Sequence, residues 1–205
     1  MKSRLTPTAL FVALIAIGVA GRFLFRDIPN FTPTTALALF AGFYFASRAA
    51  ALCVPLIAML LSNLLLPSYL TSGEMVVIYA ALVWPVLLGR MLKQPRGAWV
   101  VLLAGAAPSL LFFVFSNLAV WAGGHLYPRT SEGLLECYAY ALPFYRWMFM
   151  ADLLFASLLF GAYAIAASKT RAAIVTLARR ASVGFLAKVR TSRILGAMPT
   201  SARSN

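Results

Sequence analysis

Six long apolar stretches, separated by polar connections, fill most of the 205 residues and leave this chain few ways to fold. They cover residues 7–25, 33–47, 49–67, 75–92, 98–122 and 147–167. Most match the length a helix needs to cross about 30 Å of hydrocarbon, and the second is the shortest. Backbone groups in lipid must be hydrogen-bonded within a helix or around a closed barrel. The runs are continuous rather than alternating, which removes the barrel. The expected fold is therefore all-α: a polytopic bundle of six transmembrane helices in one domain, residues 1–167, with a basic tail, residues 168–205.

The basic residues set an orientation. With the N-terminus inside, fourteen of the 18 Lys and Arg fall on the inner side, eight of them from Lys169 onward. The remaining four, Arg22, Arg26, Arg129 and Arg146, lie outside, the last two in the one large external segment, expected as a loop over residues 123–146. That asymmetry follows the positive-inside rule, predicts both termini in the cytoplasm, and fits an inner (plasma) membrane. It also accounts for the net charge of +13 without nucleic acid. In the tail, Ile174, Leu177, Ala178, Ala181 and Phe185 recur at helical spacing, with Arg171, Arg179 and Arg180 elsewhere. The pattern predicts an amphipathic helix on the anionic lipids of the inner leaflet, followed by a disordered end over 198–205. The first apolar run continues past Val19-Ala20-Gly21 to Phe25, so it is expected to be a retained helix rather than a cleaved leader.

Several chemistries lack their residues. The lone histidine, His125, has no ligand partner at metal spacing, and Cys53 and Cys137 fall on opposite sides. No cofactor is expected. There is no phosphate-cradling loop, nucleophile elbow or paired-histidine helix, so neither ATP use nor an enzyme is expected.

What remains informative is polar side chains inside apolar runs, because each costs free energy in lipid unless satisfied. Asn63, Asn117 and Asp152 all fall roughly 6–8 Å below the outer boundary at 1.5 Å per residue. Three helices thus present polar groups in one layer. Asp152 needs a cation, a proton, several donors or water, and Arg22 and Arg26 are the cations expected to reach it. An interhelical hydrogen bond or ion pair is the alternative reading. Asn117 and Trp121 share a face with Phe113, as in a pocket for a planar ligand or an interfacial aromatic belt. Thr32 and Pro33 read as N-cap and first residue of the second helix, with Asn30 just before them and Arg146 also at the outer rim. On the first helix, Ala9 and Ala13 are small residues four apart, a face on which another helix can dock.

The strings Asn30-Phe-Thr-Pro-Thr-Thr-Ala-Leu-Ala-Leu-Phe-Ala-Gly42, Asn117-Leu-Ala-Val-Trp121, Tyr127-Pro-Arg-Thr-Ser-Glu-Gly-Leu134, Cys137-Tyr138, Ala141-Leu-Pro-Phe144 and Asp152-Leu…Leu-Phe-Gly161 resemble an uncharacterised family of six-helix bacterial membrane proteins. The resemblance covers roughly residues 7–165. Where that family tends to carry an aspartate after a serine in the third helix, this chain has Ser62-Asn63. The architecture is similar to the S components of energy-coupling-factor vitamin transporters, and that resemblance implies Ala9 and Ala13 as the docking motif for a transmembrane coupling subunit served by separate ATPases. The expected function is binding of a small molecule from the outer side, at Asn63, Asn117, Trp121 and Asp152, with Asn30 and Arg146 at the rim. The alternative is a structural or assembly subunit without a ligand.

Overall fold

The computed structural model describes residues 6–66, 72–92, 98–123 and 125–196, with the backbone alone for 72, 74, 98–105 and 170–196. All regular structure among them is helical: α1 (Pro7–Leu24), α2 (Thr34–Tyr44), α3 (Arg48–Leu65), α4 (Ser72–Ala81), α5 (Val83–Met91), α6 (Ala98–Gly123) and α7 (Ser131–Gly196). Four stretches are long and apolar enough to cross a membrane: Pro7–Leu24, Arg48–Leu65, Ala106–Gly123 and Ser131–Lys169. This is an all-helical membrane protein. The chain divides into two compact units, Met1–Gly161 and Ala162–Asn205. The second is helical as far as Gly196, and the side chains of its expected amphipathic face, with the segment 198–205, lie outside the described residues.

Local chemistry explains several helix starts. Thr6 caps α1 by accepting a hydrogen bond from the Ala9 amide at 3.1 Å, and Pro7 follows at the first helical position. Ser47 caps α3 in the same way through the Ala50 amide at 3.3 Å. The start of α2 departs from expectation. Pro33 itself is the N-cap residue, without a side-chain cap, and the Thr32 hydroxyl reaches the Thr34 hydroxyl at 3.3 Å.

Two longer expectations also need correction. The fourth run is two helices, broken at Leu82. Pro85 has no amide hydrogen to offer the carbonyl four residues earlier, so the ladder is interrupted where α4 becomes α5. The break is useful: α4 packs chiefly on α6, while α5 packs chiefly on α2. The second correction concerns residues 123–146, expected as an external loop. Only the residues up to Thr130 connect two helices, because α7 starts at Ser131. The Thr130 hydroxyl accepts from the Gly133 amide at 3.1 Å, and Glu132 lies in the first turn, where a negative charge suits the helix dipole.

The first unit is built around α2. Residues 34–42 are buried on every side, unlike α1, whose buried face is only Leu14, Gly18 and Gly21. Leu14 of α1, Leu37 and Phe40 of α2, Val54 of α3 and Val86 of α5 form one apolar core. Close approach depends on glycine at the α2–α5 seam. A Cβ on Gly42 would overlap the Val86 carbonyl, and one on Gly89 would overlap the Leu39 carbonyl. Each helix supplies one glycine to the other's backbone, the small-residue packing that lipid-embedded helices use. Helices α1 and α3 run parallel, since Gly18 meets Ala58 and Arg22 meets Asn63, so α2 returns between them.

Candidate functional site

The polar residues singled out by the sequence do not converge on one place. They form three separate groups, each with its own bonding.

The first is centred on Asp152, which is only 1% exposed. It sits on α7 opposite the N-terminal turn of α2, where the Thr35 hydroxyl donates to its Oδ1. That end of α2 carries partial positive charge, a favourable place for an acid. The fully buried Ser109 of α6 is the second hydroxyl facing the carboxyl, and its Oγ donates to the Ala106 carbonyl at 2.8 Å. Oδ2 is buried and has no hydrogen-bond partner. A carboxylate placed at mid-membrane costs about 2.5–3.5 kcal/mol, and one neutral hydroxyl offsets only part of that. A cluster of three rings begins one turn along α7 from Asp152. Phe155, one turn along α7, packs edge-on against Phe25 and Phe31 at 6.0 and 5.9 Å, and those two meet at 5.0 Å.

The second group contains Arg22. The expectation that Arg22 or Arg26 pairs with Asp152 is not met. Gly18 packs α1 directly on Ala58 of α3, which turns Arg22, four residues on, toward α3. Its Nη2 donates to Asn63 Oδ1 at 3.0 Å, and its Nη1 is directed at Met59 Sδ. The Asn63 amide nitrogen then donates to the Tyr79 hydroxyl at 3.2 Å, joining α1, α3 and α4. Nε of Arg22 is buried without a partner. Arg26 lies in the connection, 3.9 Å from Asp27, with its guanidinium over the Phe23 ring at 5.6 Å.

The third group ties α6 to α7. Asn117 donates back to the Phe113 carbonyl on its own helix at 2.7 Å, and its own carbonyl accepts from Cys137 Sγ at 3.4 Å. The Trp121 indole donates to the Pro128 and Thr130 carbonyls at 3.1 and 3.2 Å, pinning the connection. The Tyr138 hydroxyl donates to the Val114 carbonyl at 2.6 Å, while its ring and that of Tyr145 pack on Phe113. All of these hydrogen bonds lie within the helical hairpin.

The two rim residues have local roles. Asn30 occupies the left-handed region at φ 60°, which Asn tolerates better than most residues, and so makes the turn before α2. Arg146 is exposed with its guanidinium over the Trp147 ring at 5.0 Å. On α1, Ala9 is exposed and Ala13 partly buried. Cys53 and Cys137 are both free thiols. Among the described residues no group of His, Cys, Asp and Glu could hold a metal ion. A side pocket of about 130 Å³, lined by Val77, Ala80, Ala81, Trp84 and Phe115, is apolar and includes none of the three groups.

Sequence reasoning missed two residues of the Asp152 group. Thr35 and Ser109 are hydroxyls inside apolar runs, but Ser and Thr can satisfy themselves on their own helix, so their presence there carries little signal. Met59 and Tyr79 beside Arg22 were missed because both belong equally well to a core.

The chain matches no curated protein and no solved structure. A family model does match, over residues 2–177, and it describes a family of unknown function, DUF6580. With most of its length covered by that model, the chain belongs to this family of unknown function.

Proposed function

We propose that this protein binds a small molecule within the membrane, and that Asp152 is the group that recognises it. One observation carries the reading: a fully buried carboxyl holds one oxygen on Thr35 and leaves the other without a partner. Intramembrane ionisable residues are expensive and are kept where a ligand, ion or proton uses them. The ligand supplies what Oδ2 lacks, either a positive charge or an N–H or O–H donor. Phe155, one turn along α7, belongs to an apolar cluster with Phe25 and Phe31, and Ser109 brings a second hydroxyl to the carboxyl. In this reading the protein acts as an S-component-like capture subunit of six transmembrane helices in an inner membrane. It faces outward and is served by a transmembrane coupling subunit and ATPases as separate chains. Ala9, exposed on α1, is the centre of the docking face.

The test compares Asp152→Asn with wild type in thermal unfolding, against a panel of small amines, alkali cations and uncharged donors. Asparagine keeps an oxygen for Thr35, so the variant is expected to fold. It is also expected to lose any stabilisation that a panel member gives the wild type. At ligand one hundred times its Kd, that stabilisation amounts to about 2.7 kcal/mol. A panel member that stabilises both proteins equally would remove Asp152 from recognition.

A second reading has its own support. Asn63, Asn117 and Trp121 are all engaged in bonds within the chain, as in a structural or assembly subunit whose polar groups only join helices. Under it, Asp152→Leu is tolerated or stabilising, because a buried charge replaced by an apolar group of similar size is often neutral.

A further inference from the structure

We propose that Arg22 is an oxyanion-binding site, separate from Asp152, at the end of the bundle formed by α1, α3 and α4. The guanidinium is partly buried and carries a full positive charge, yet its partners among the described residues are neutral: an amide oxygen and a thioether sulfur. Sulfur is a weak acceptor, and an amide oxygen supplies a dipole rather than a charge. Nε is buried with nothing to accept its hydrogen. The four carboxylates whose side chains are described are engaged elsewhere or exposed, and the side chain of Glu74, on α4, lies outside the described residues. Asp27 lies beside Arg26, Asp152 accepts from Thr35, Glu132 accepts from Ser131, and Glu136 is exposed.

The arrangement is also held in place. Tyr79 accepts from the Asn63 amide nitrogen, which fixes the amide with its oxygen toward Arg22. Nε and Nη2 lie on one edge of the guanidinium, the edge with which arginine grips carboxylate or phosphate in a two-point contact. Nη2 has two hydrogens, and Asn63 uses one. Met59 is the wall that can yield, since an unbranched thioether side chain repacks easily. A carboxylate or phosphate oxygen admitted there satisfies Nε and neutralises the charge together. The same chemistry comes from two sources, a free oxyanion or the phosphate of a lipid headgroup.

The experiment uses the full chain in uncharged detergent, freed of bound lipid, and reads its unfolding temperature. Inorganic phosphate is one probe and phosphatidylglycerol the other, with potassium chloride at matched ionic strength as the baseline. At least one probe is expected to raise the midpoint by about 3 °C or more above that baseline. Arg22→Gln loses the response, while Arg26→Gln, at an exposed position, keeps it. A response to phosphate assigns a free oxyanion; a response to phosphatidylglycerol alone assigns the headgroup. Asn63→Asp gives the site its own carboxylate, so its midpoint is expected above wild type, with no response to either probe. The proposal is overturned by silence from both probes, by an unchanged response in Arg22→Gln, or by an Asn63→Asp protein less stable than wild type. If Arg22→Gln does not fold, the Asn63→Asp result decides. None of these variants touches Asp152, so the outcome is independent of the function proposed above.

Discussion

The α2–α5 seam and the α6–α7 hairpin join helices in opposite ways. At the seam no side-chain hydrogen bond is needed: Gly42 and Gly89 let two backbones touch, and the fit is one of shape. At the hairpin the helices are tied through the hydroxyl of Tyr138, the indole of Trp121 and the thiol of Cys137, each donating to a backbone carbonyl. A shape fit against backbone fails abruptly, because a carbonyl cannot move aside as a side chain can. A set of side-chain ties fails by degrees, because each contributes its own modest share.

That contrast can be broken by substitution. The largest effect is expected at the seam. Ordinary overpacking costs about 1–3 kcal/mol, and Gly42→Val or Gly89→Val meets backbone, so the loss is expected to exceed that range. The readout is recovery of monodisperse protein in mild detergent, and wild-type recovery would show that the helices can separate without penalty. A middle effect is expected at the hairpin. Trp121→Phe keeps an aromatic ring, though a smaller one, and removes a donor shared by two carbonyls, a loss of about 0.5–1.5 kcal/mol, or roughly 1–6 °C in unfolding temperature. A fall as large as the seam variants give would mean the connection is as critical as the core. The smallest effect belongs to the exposed face of α1. Ala9→Leu is expected to leave the isolated protein within about 0.5 kcal/mol of wild type, yet to reduce co-purification of a coupling subunit from native membranes. Unchanged recovery of such a subunit would move the docking face elsewhere.

Much of this was readable in the sequence wherever the signal was local. Thr6-Pro7 announces the start of α1, and Asp152 stands out in its apolar run as a group in need of a partner. The partners themselves were not readable. Which residues answer Asp152 or Arg22 depends on which helices pack together, and that is decided by Gly18 against Ala58 and by Gly42 against Val86, contacts distant in sequence. The start of α7 was missed for another reason. Glu132 and Glu136 made 123–146 look like a loop, although Thr130 followed by Glu132 is a helix-start signal. The break at Leu82 was likewise announced by Pro85, hidden inside a uniformly apolar run.

The enclosure of α2 bears on how the chain is made. Its 11 helical residues rise only about 16 Å, little more than half the thickness of the hydrocarbon layer. Such a segment is a poor client for the insertion machinery when it emerges alone. Its neighbours α1 and α3 are long enough to be accepted on their own terms. The glycine seam that finally holds α2, however, is completed by α5, synthesised about forty residues later. Biogenesis therefore has a waiting period, during which a short segment is sheltered by two parallel helices before its main partner exists.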